Sequence, residues 1–263
     1  MLNKVYLFVL FLFVFTGNQL WAQKQAPPAV PKSRCQVSFP SDSRIDWYCY
    51  GVKSEKALED LLGPYLEPAL RFNRIDRMHA LQGAYIKIPV NFKDVVNFTP
   101  MPQKLEQAKN YRRYILLDRS EQFLGAYEFG ELKFSFPVAS GRGNSTPAGI
   151  FKVLGRDRWA RSTLYKIQGT SIPYPMYWGI KFHESKRGVS FWIHSRDMPG
   201  YPASHGCIGL YDEGMQQKFY GYPKNPQLLD SKKLYLWLFP DGGDNDKPRM
   251  YPDGLPDALI EIK

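Results

Sequence analysis

Phe191-Trp192-Ile193-His194-Ser195 and, shortly after it, Ala203-Ser204-His205-Gly206-Cys207-Ile208-Gly209 are the stretch from which the rest of the chain is read. The aromatic and β-branched run into His194 reads as a strand. A cysteine nucleophile needs a base to generate thiolate and donors to hold an oxyanion. His194 and His205 are available as bases. The amides beside Gly206 and Cys207 are available as donors, because glycine lets a backbone approach a substrate closely. A helix starting at Tyr211 would bring its positive end toward Cys207 and lower the thiol pKa. Two other readings compete. His194, His205 and Cys207 are suitable metal ligands by type, although the spacing of His205 and Cys207 is awkward for one tetrahedral ion. The same residues could also be a chance cluster in a core.

Counting cysteines singles out the same position. The chain has 263 residues and three cysteines. Cys35 and Cys49 flank a short polar segment and form the natural local disulfide. Cys207 is left over, as an odd count in an oxidising compartment requires. That compartment is indicated by residues 1–22, which read as a secretory signal. Lys4 is its positive start, Val5 to Phe15 its apolar run, and Ala22 its small cleavage residue. The apolar run is too short to span a bilayer comfortably, and no second run of spanning length follows. Cleavage removes one charge, so the net charge of +10 becomes 10 − 1 = +9. A basic exported protein is expected to meet anionic wall polymer or lipid head groups rather than nucleic acid.

Working outward, 44% hydrophobic and 15% aromatic residues predict a globular, strand-rich chain. Residues 23–50 read as a linker, with Pro27, Pro28 and Pro31, followed by the Cys35/Cys49 segment. Residues 51–100 form a small module. Glu55 to Leu62 has helical spacing and is stopped by Gly63-Pro64, Glu67 to Phe72 is a second helix, and Ala84 to Pro89 is a strand after a turn at Gly83. From residue 110 to 240 the texture is β. Tyr114 to Asp118 is a buried strand, and Phe123 to Phe129 with Leu132 to Val138 is a hairpin turning at Gly130-Glu131. Further strands are expected at Ile150 to Leu154, Leu164 to Ile167, Tyr177 to Phe182, Val189 to His194 and Leu234 to Phe239. Only Tyr211 to Tyr220 reads as a clear helix. Residues 241–263, rich in Asp, Gly and Pro, read as a surface extension.

Four motifs in this order resemble the L,D-transpeptidase, or YkuD, family. They are Tyr114-Ile115-Leu116-Leu117-Asp118 with Gln122-Phe123-Leu124, Phe136 to Gly141 followed by Thr146-Pro147-Ala148-Gly149-Ile150-Phe151, Pro175-Met176-Tyr177-Trp178, and Ile193-His194 with Ser204-His205-Gly206-Cys207. The segment Asn73-Arg74-Ile75-Asp76 with its flanking helices and Ile88-Pro89 more weakly resembles a LysM glycan-binding module; a non-binding cap is the alternative. The fold implied is mainly β, a β-sandwich or barrel-like catalytic domain with one or two short helices, plus a small α+β N-terminal module.

The resemblance implies roles. Cys207 would attack the carbonyl of the third residue of a peptidoglycan stem peptide and release the fourth, a D-residue. His194 would be the base, its other ring nitrogen oriented by the backbone carbonyl of Ser195. His205, Gly206 and Cys207 would frame the oxyanion. Ser204, Tyr177, Trp178, Arg142 and Arg196 are candidates for substrate contact. No metal or organic cofactor is implied. Two departures bear on the second half of the reaction. The family pattern carries Arg or Asn where Gly209 stands, a loss that Arg196 or Arg142 could make good, and the loop from His194 to Ser204 is short. Transfer to an acceptor amine, as 3→3 cross-linking, D-residue exchange or protein attachment, is the leading expectation, and the departures put this second step, not the acyl-enzyme, in question. Hydrolysis of the same acyl-enzyme and a wall-binding protein with a disabled site are the alternatives.

Overall fold

The computed structural model describes residues 30–81, 83–243 and 245–263. The signal at 1–22 and the linker up to residue 29 lie outside the described residues. In chain order the elements are β1 (Trp47–Gly51), α1 (Glu55–Leu62), α2 (Leu66–Asn73), β2 (Tyr85–Pro89), β3 (Arg113–Asp118), β4 (Phe123–Glu128), β5 (Glu131–Pro137), β6 (Gly149–Lys152), β7 (Gly155–Asp157), β8 (Arg161–Lys166), β9 (Pro173–Pro175), β10 (Gly179–Glu184), β11 (Ser190–Ser195), β12 (Ile208–Leu210), α3 (Glu213–Tyr220), α4 (Asp230–Leu238), β13 (Arg249–Met250) and β14 (Ala258–Ile262). The protein is mainly β. Among the described residues no helix is long and apolar enough to cross a membrane.

Two five-stranded sheets build the larger, C-terminal part, in the orders β5-β4-β3-β14-β6 and β12-β11-β10-β7-β13. One buried cluster joins their inner faces, with Ile115, Leu117, Leu124 and Phe136 meeting Ile180, Phe182, Ile193 and Ile208. The outer face of the first sheet is covered too. Tyr114, Leu116, Phe123 and Tyr127 pack under Met101, Leu105 and Ala108. Burial on both faces explains why Tyr114 to Asp118 shows no clean alternation. The β4–β5 hairpin turns at Phe129 and Gly130, both at positive φ, with Glu128 opposite Glu131. The turn therefore sits one residue earlier than the sequence suggests, because Phe129 is not a residue type that announces a left-handed position.

Two expectations are corrected. Leu234 to Phe239 is not a strand but belongs to α4 and its end. Leu234, Tyr235, Leu238 and Phe239 recur at helical spacing, and all four pack into the central cluster. Residues 241–263 are not a surface extension either. β14 inserts between β3, in parallel, and β6, antiparallel. Ala258, Ile260 and Ile262 are buried. The alternation Ala-Leu-Ile-Glu-Ile carries the strand signal, which the Asp/Gly/Pro composition upstream obscures.

The N-terminal module is a β1-α1-α2-β2 unit whose two strands pair antiparallel. α1 is capped by Ser54, which accepts from the Ala57 N–H, and stops at Gly63, φ 51°. The Cys35–Cys49 disulfide is present. It anchors a segment whose Asp42 receives Arg74 Nη1 at 2.8 Å and also pairs with Lys87. The Asn73-Arg74-Ile75-Asp76 motif faces inward. Asn73 ties α2 to β2 through the Lys87 backbone, and Arg74 is fully buried. Ile75 bridges Pro199, and Asp76 accepts from the Met198 N–H at 2.7 Å. Arg71 makes a two-bond pair with Asp230 at the start of α4, at 2.6 and 2.7 Å. The motif that resembles a glycan reader is thus engaged in docking the module onto the loop after His194.

Candidate active site

β11 and β12 run parallel, with Ile193 opposite Ile208 and His194 opposite Gly209. Cys207 precedes this ladder, and the Trp192 N–H hydrogen-bonds its thiol. Because strand side chains alternate, His194 and the residues at 207 and 209 share one face. His194 is buried, and its Nδ1 lies 2.6 Å from the Ser195 carbonyl. A carbonyl only accepts, so Nδ1 carries the proton and Nε2 keeps its lone pair. Burial, and secondarily the cation at Arg196, push the His194 pKa down to about 3. The ring is therefore neutral at neutral pH, as a proton acceptor must be.

Cys207 is partly buried and is the free cysteine. Burial raises its pKa, opposed by the Trp192 N–H and by Arg196. The expected help from a helix end is not what acts here. β12 stands between Cys207 and α3, and the Asp212 side chain already caps that helix by accepting from the Met215 N–H. A neutral thiol and a neutral imidazole on one face of the ladder suit transfer of the thiol proton to the ring during attack rather than a standing ion pair.

The turn before Cys207 is tightly determined. Gly206 has φ 138°, and a Cβ there would meet the Phe191 ring at 2.4 Å. The Gly206 N–H donates to Ser204 Oγ at 3.0 Å, and that hydroxyl in turn donates to the Cys207 carbonyl. Two expectations change accordingly. The Gly206 amide is already engaged, which leaves the His205 and Cys207 amides as candidates for an oxyanion. Ser204, 2% exposed, closes the turn and is not presented to a ligand. His205 is exposed and stacks on Tyr165 of β8, centroids 4.4 Å apart. Among the described residues no group of three His, Cys, Asp or Glu side chains is placed to hold a metal ion.

Tyr177 and Trp178 are also corrected. At 4% and 7% exposure they are core residues, not walls of a cleft. Tyr177 packs on Trp159 and Phe219, and Trp178 packs on Tyr235 with the Arg158 guanidinium over its ring. Tyr177 serves the site through its carbonyl, which accepts from the Ser195 N–H at 2.9 Å. Arg142 is exposed, and its Nε donates to the Ala203 carbonyl at 3.2 Å; Arg196 Nη2 donates to the same carbonyl, also at 3.2 Å.

Two residues beyond the predicted set hold the site. Thr146, fully buried, accepts from the Gly141 N–H at 2.7 Å and donates to the Gly206 carbonyl at 2.9 Å. Gln122 donates to Ser140 Oγ and accepts from the Ser140 N–H, both at 2.8 Å. The Ser140 carbonyl then receives the Ala203 and Ser204 amides. Both residues stood in the quoted motifs, but neither type announces a bracing role. Thr146→Val is expected to leave two buried polar groups unpaired. The cost is about 1–3 kcal/mol, read as a lower denaturation midpoint, with slower acylation of Cys207. Thr146→Ser should restore both.

Residues 112–224 match the family model of the L,D-transpeptidase catalytic domain, YkuD. No curated protein matches the chain. Similar solved structures include an L,D-transpeptidase from Xylanimonas cellulosilytica, 16% identical, TM-score 0.43, covering 90% of this chain and 100% of that one. An L,D-transpeptidase from Mycobacterium smegmatis is 16% identical with TM-score 0.35, covering 58% of this chain and 59% of that one. A mutant L,D-transpeptidase of Enterococcus faecium is 21% identical with TM-score 0.35, covering 58% and 50%. This chain thus spans 59% and 50% of the length of the last two.

Proposed function

We propose that the L,D-transpeptidase-type catalytic domain matched at residues 112–224 acts on peptidoglycan stem peptides through an acyl-enzyme at Cys207. The observation that carries this reading is the placement of the free Cys207 on the same face of the β11–β12 ladder as a buried, neutral His194 whose Nδ1–H is fixed by Ser195. In the first half-reaction Cys207 Sγ bonds to the carbonyl carbon of the third stem residue, and its proton passes to His194 Nε2. The developing oxyanion takes the His205 and Cys207 amides. The C–N bond to the fourth residue then breaks, and the departing amine takes the proton from His194. In the second half an acceptor amine gives up its proton to His194, attacks the thioester and frees the thiol. The short loop from His194 to Ser204 bears on this acceptor step.

Export and cleavage after Ala22 fit a disulfide at Cys35–Cys49, which persists in oxidising compartments. We assign the N-terminal module the role of a cap, since its Asn73, Arg74 and Asp76 are engaged in docking. The test is incubation of the mature protein with purified disaccharide-tetrapeptides and mass spectrometry of the products. Dimers, or stems with an exchanged terminal D-residue, are expected. Tripeptides alone would make the protein a hydrolase using the same acyl-enzyme. Unchanged tetrapeptide from a folded protein would overturn the reading.

A further inference from the structure

Gly209 is not a vacancy in the site. Its backbone is extended, so glycine is not demanded there by conformation. It is demanded by space, because a Cβ at position 209 would meet Arg196 Cδ at 2.4 Å and Arg196 Cβ at 2.5 Å. The stem of Arg196 lies in the hollow that a side chain at 209 would fill, on the face of β12 that Cys207 and His194 share. From there its Nη2 reaches the Ala203 carbonyl, at the head of the Ser204-to-Cys207 turn. The Arg196 backbone is fixed as well, its N–H donating to the Leu210 carbonyl. Two residues further, Asp76 of the N-terminal module receives the Met198 N–H and holds the loop.

Among the described residues no carboxylate neutralises this guanidinium, which meets the Ala203 carbonyl and the Tyr174 ring. Its electrostatic neighbours are His79, Tyr174, Tyr220, His194 and Cys207, it lies 5.9 Å from the centre of the Tyr174 ring, and Arg142 shares the Ala203 carbonyl with it. Asp197 is occupied by the Tyr174 and Tyr220 hydroxyls, and burial first, then Asp76, make its carboxyl reluctant to ionise. Asp76 is occupied by Gln216, His79 and the Met198 N–H. Among the described residues Arg196 makes no ion pair, and its Nε is buried without a hydrogen-bond partner. A cation in that state acts on whatever charge forms nearby.

We propose that Arg196 is the positioning residue of the acylation step, its stem filling the space over Gly209 and its guanidinium holding the Ala203 carbonyl and a positive charge at the head of the Cys207 turn. It takes the place of the side chain that the family pattern carries at 209. The inference rests on Cys207 being the nucleophile, but its test does not need the stem-peptide reading to hold. With Cys35 and Cys49 joined, Cys207 is the free thiol, and its alkylation by iodoacetamide against pH reports thiolate formation alone. Arg196→Met keeps an apolar stem over Gly209 and removes the charge. Its alkylation profile is expected to move to higher pH, with the rate at pH 7 falling about three- to tenfold. Arg196→Lys should keep the wild-type profile. In Arg196→Gly, a second change of Gly209→Arg should bring the profile back. Superposable wild-type and Arg196→Met profiles, in variants with the same melting midpoint, would overturn the proposal. Normal profiles in a protein that leaves tetrapeptide untouched would count against the stem-peptide reading and not against Arg196.

Discussion

Cys207→Ala is expected to abolish both turnover of tetrapeptide stems and covalent labelling by a carbapenem, while His194→Ala retains slow acylation. The difference follows from what each residue supplies. In the proposed mechanism Cys207 provides the atom to which the acyl group is bonded, and among the described residues there is no second free thiol. His194 is the proposed proton acceptor, and a positioned general base contributes about 10²–10⁴-fold. His194→Ala should therefore slow acylation within that range and leave the adduct on Cys207. The loss should be in rate and not in folding, because Trp192 still meets the thiol and Ser204 still closes the turn. His205 is the rival base. Its ring is exposed and stacked on Tyr165, whereas His194 lies on the ladder with its Nδ1–H fixed. If His194→Ala acylates at the wild-type rate, the base is His205, and His205→Ala should then show the deficit. Acylation rates of both variants, followed by intact mass, decide between them.

Ending the chain before Ala258 is expected to leave a protein with no cooperative unfolding transition. β14 lies between β3 and β6, so its removal opens the centre of a sheet and not its rim. Ile260 and Ile262 are buried, and burial of each such side chain contributes about 1.5–3 kcal/mol. Together with the lost ladders on both sides this approaches the whole stability of an ordinary domain, about 5–15 kcal/mol. The milder Ile260→Ala should stay folded and lose about 2–5 kcal/mol. Denaturant unfolding followed by far-UV circular dichroism checks both. A truncated chain that melts cooperatively near the wild-type midpoint would return residues 241–263 to the status of a surface tail.

That second expectation marks a limit of sequence reading. Glu55 to Leu62, Glu67 to Phe72 and Ala84 to Pro89 were legible because caps, spacing and proline agree locally. The β3-β4-β5 meander was legible because its strands are consecutive and joined by short turns. β14 was not, since its partners lie far back in the chain and its approach is written in Gly, Pro and Asp. Leu234 to Phe239 was misread because a short apolar run has no period of its own until its neighbours decide it. At the site, Cys207, His194 and the Ser195 carbonyl were legible because reactive side chains in a constrained spacing have few other uses. Thr146, Gln122 and the inward-facing Tyr177 were not. They act through hydrogen bonds and packing to distant backbone, which only the closed fold brings within reach. Gly209 falls between the two. The sequence registers a missing side chain, and the structure fills the space with Arg196.

The most direct test of the central claim is the intact mass of the mature protein after brief exposure to a disaccharide-tetrapeptide. The account predicts a gain equal to the disaccharide-tripeptide acyl group, mapped by peptide mass spectrometry to Cys207 and absent from Cys207→Ala. A mature protein that turns over tetrapeptide with Cys207 unmodified throughout, or with the adduct on another residue, would contradict it.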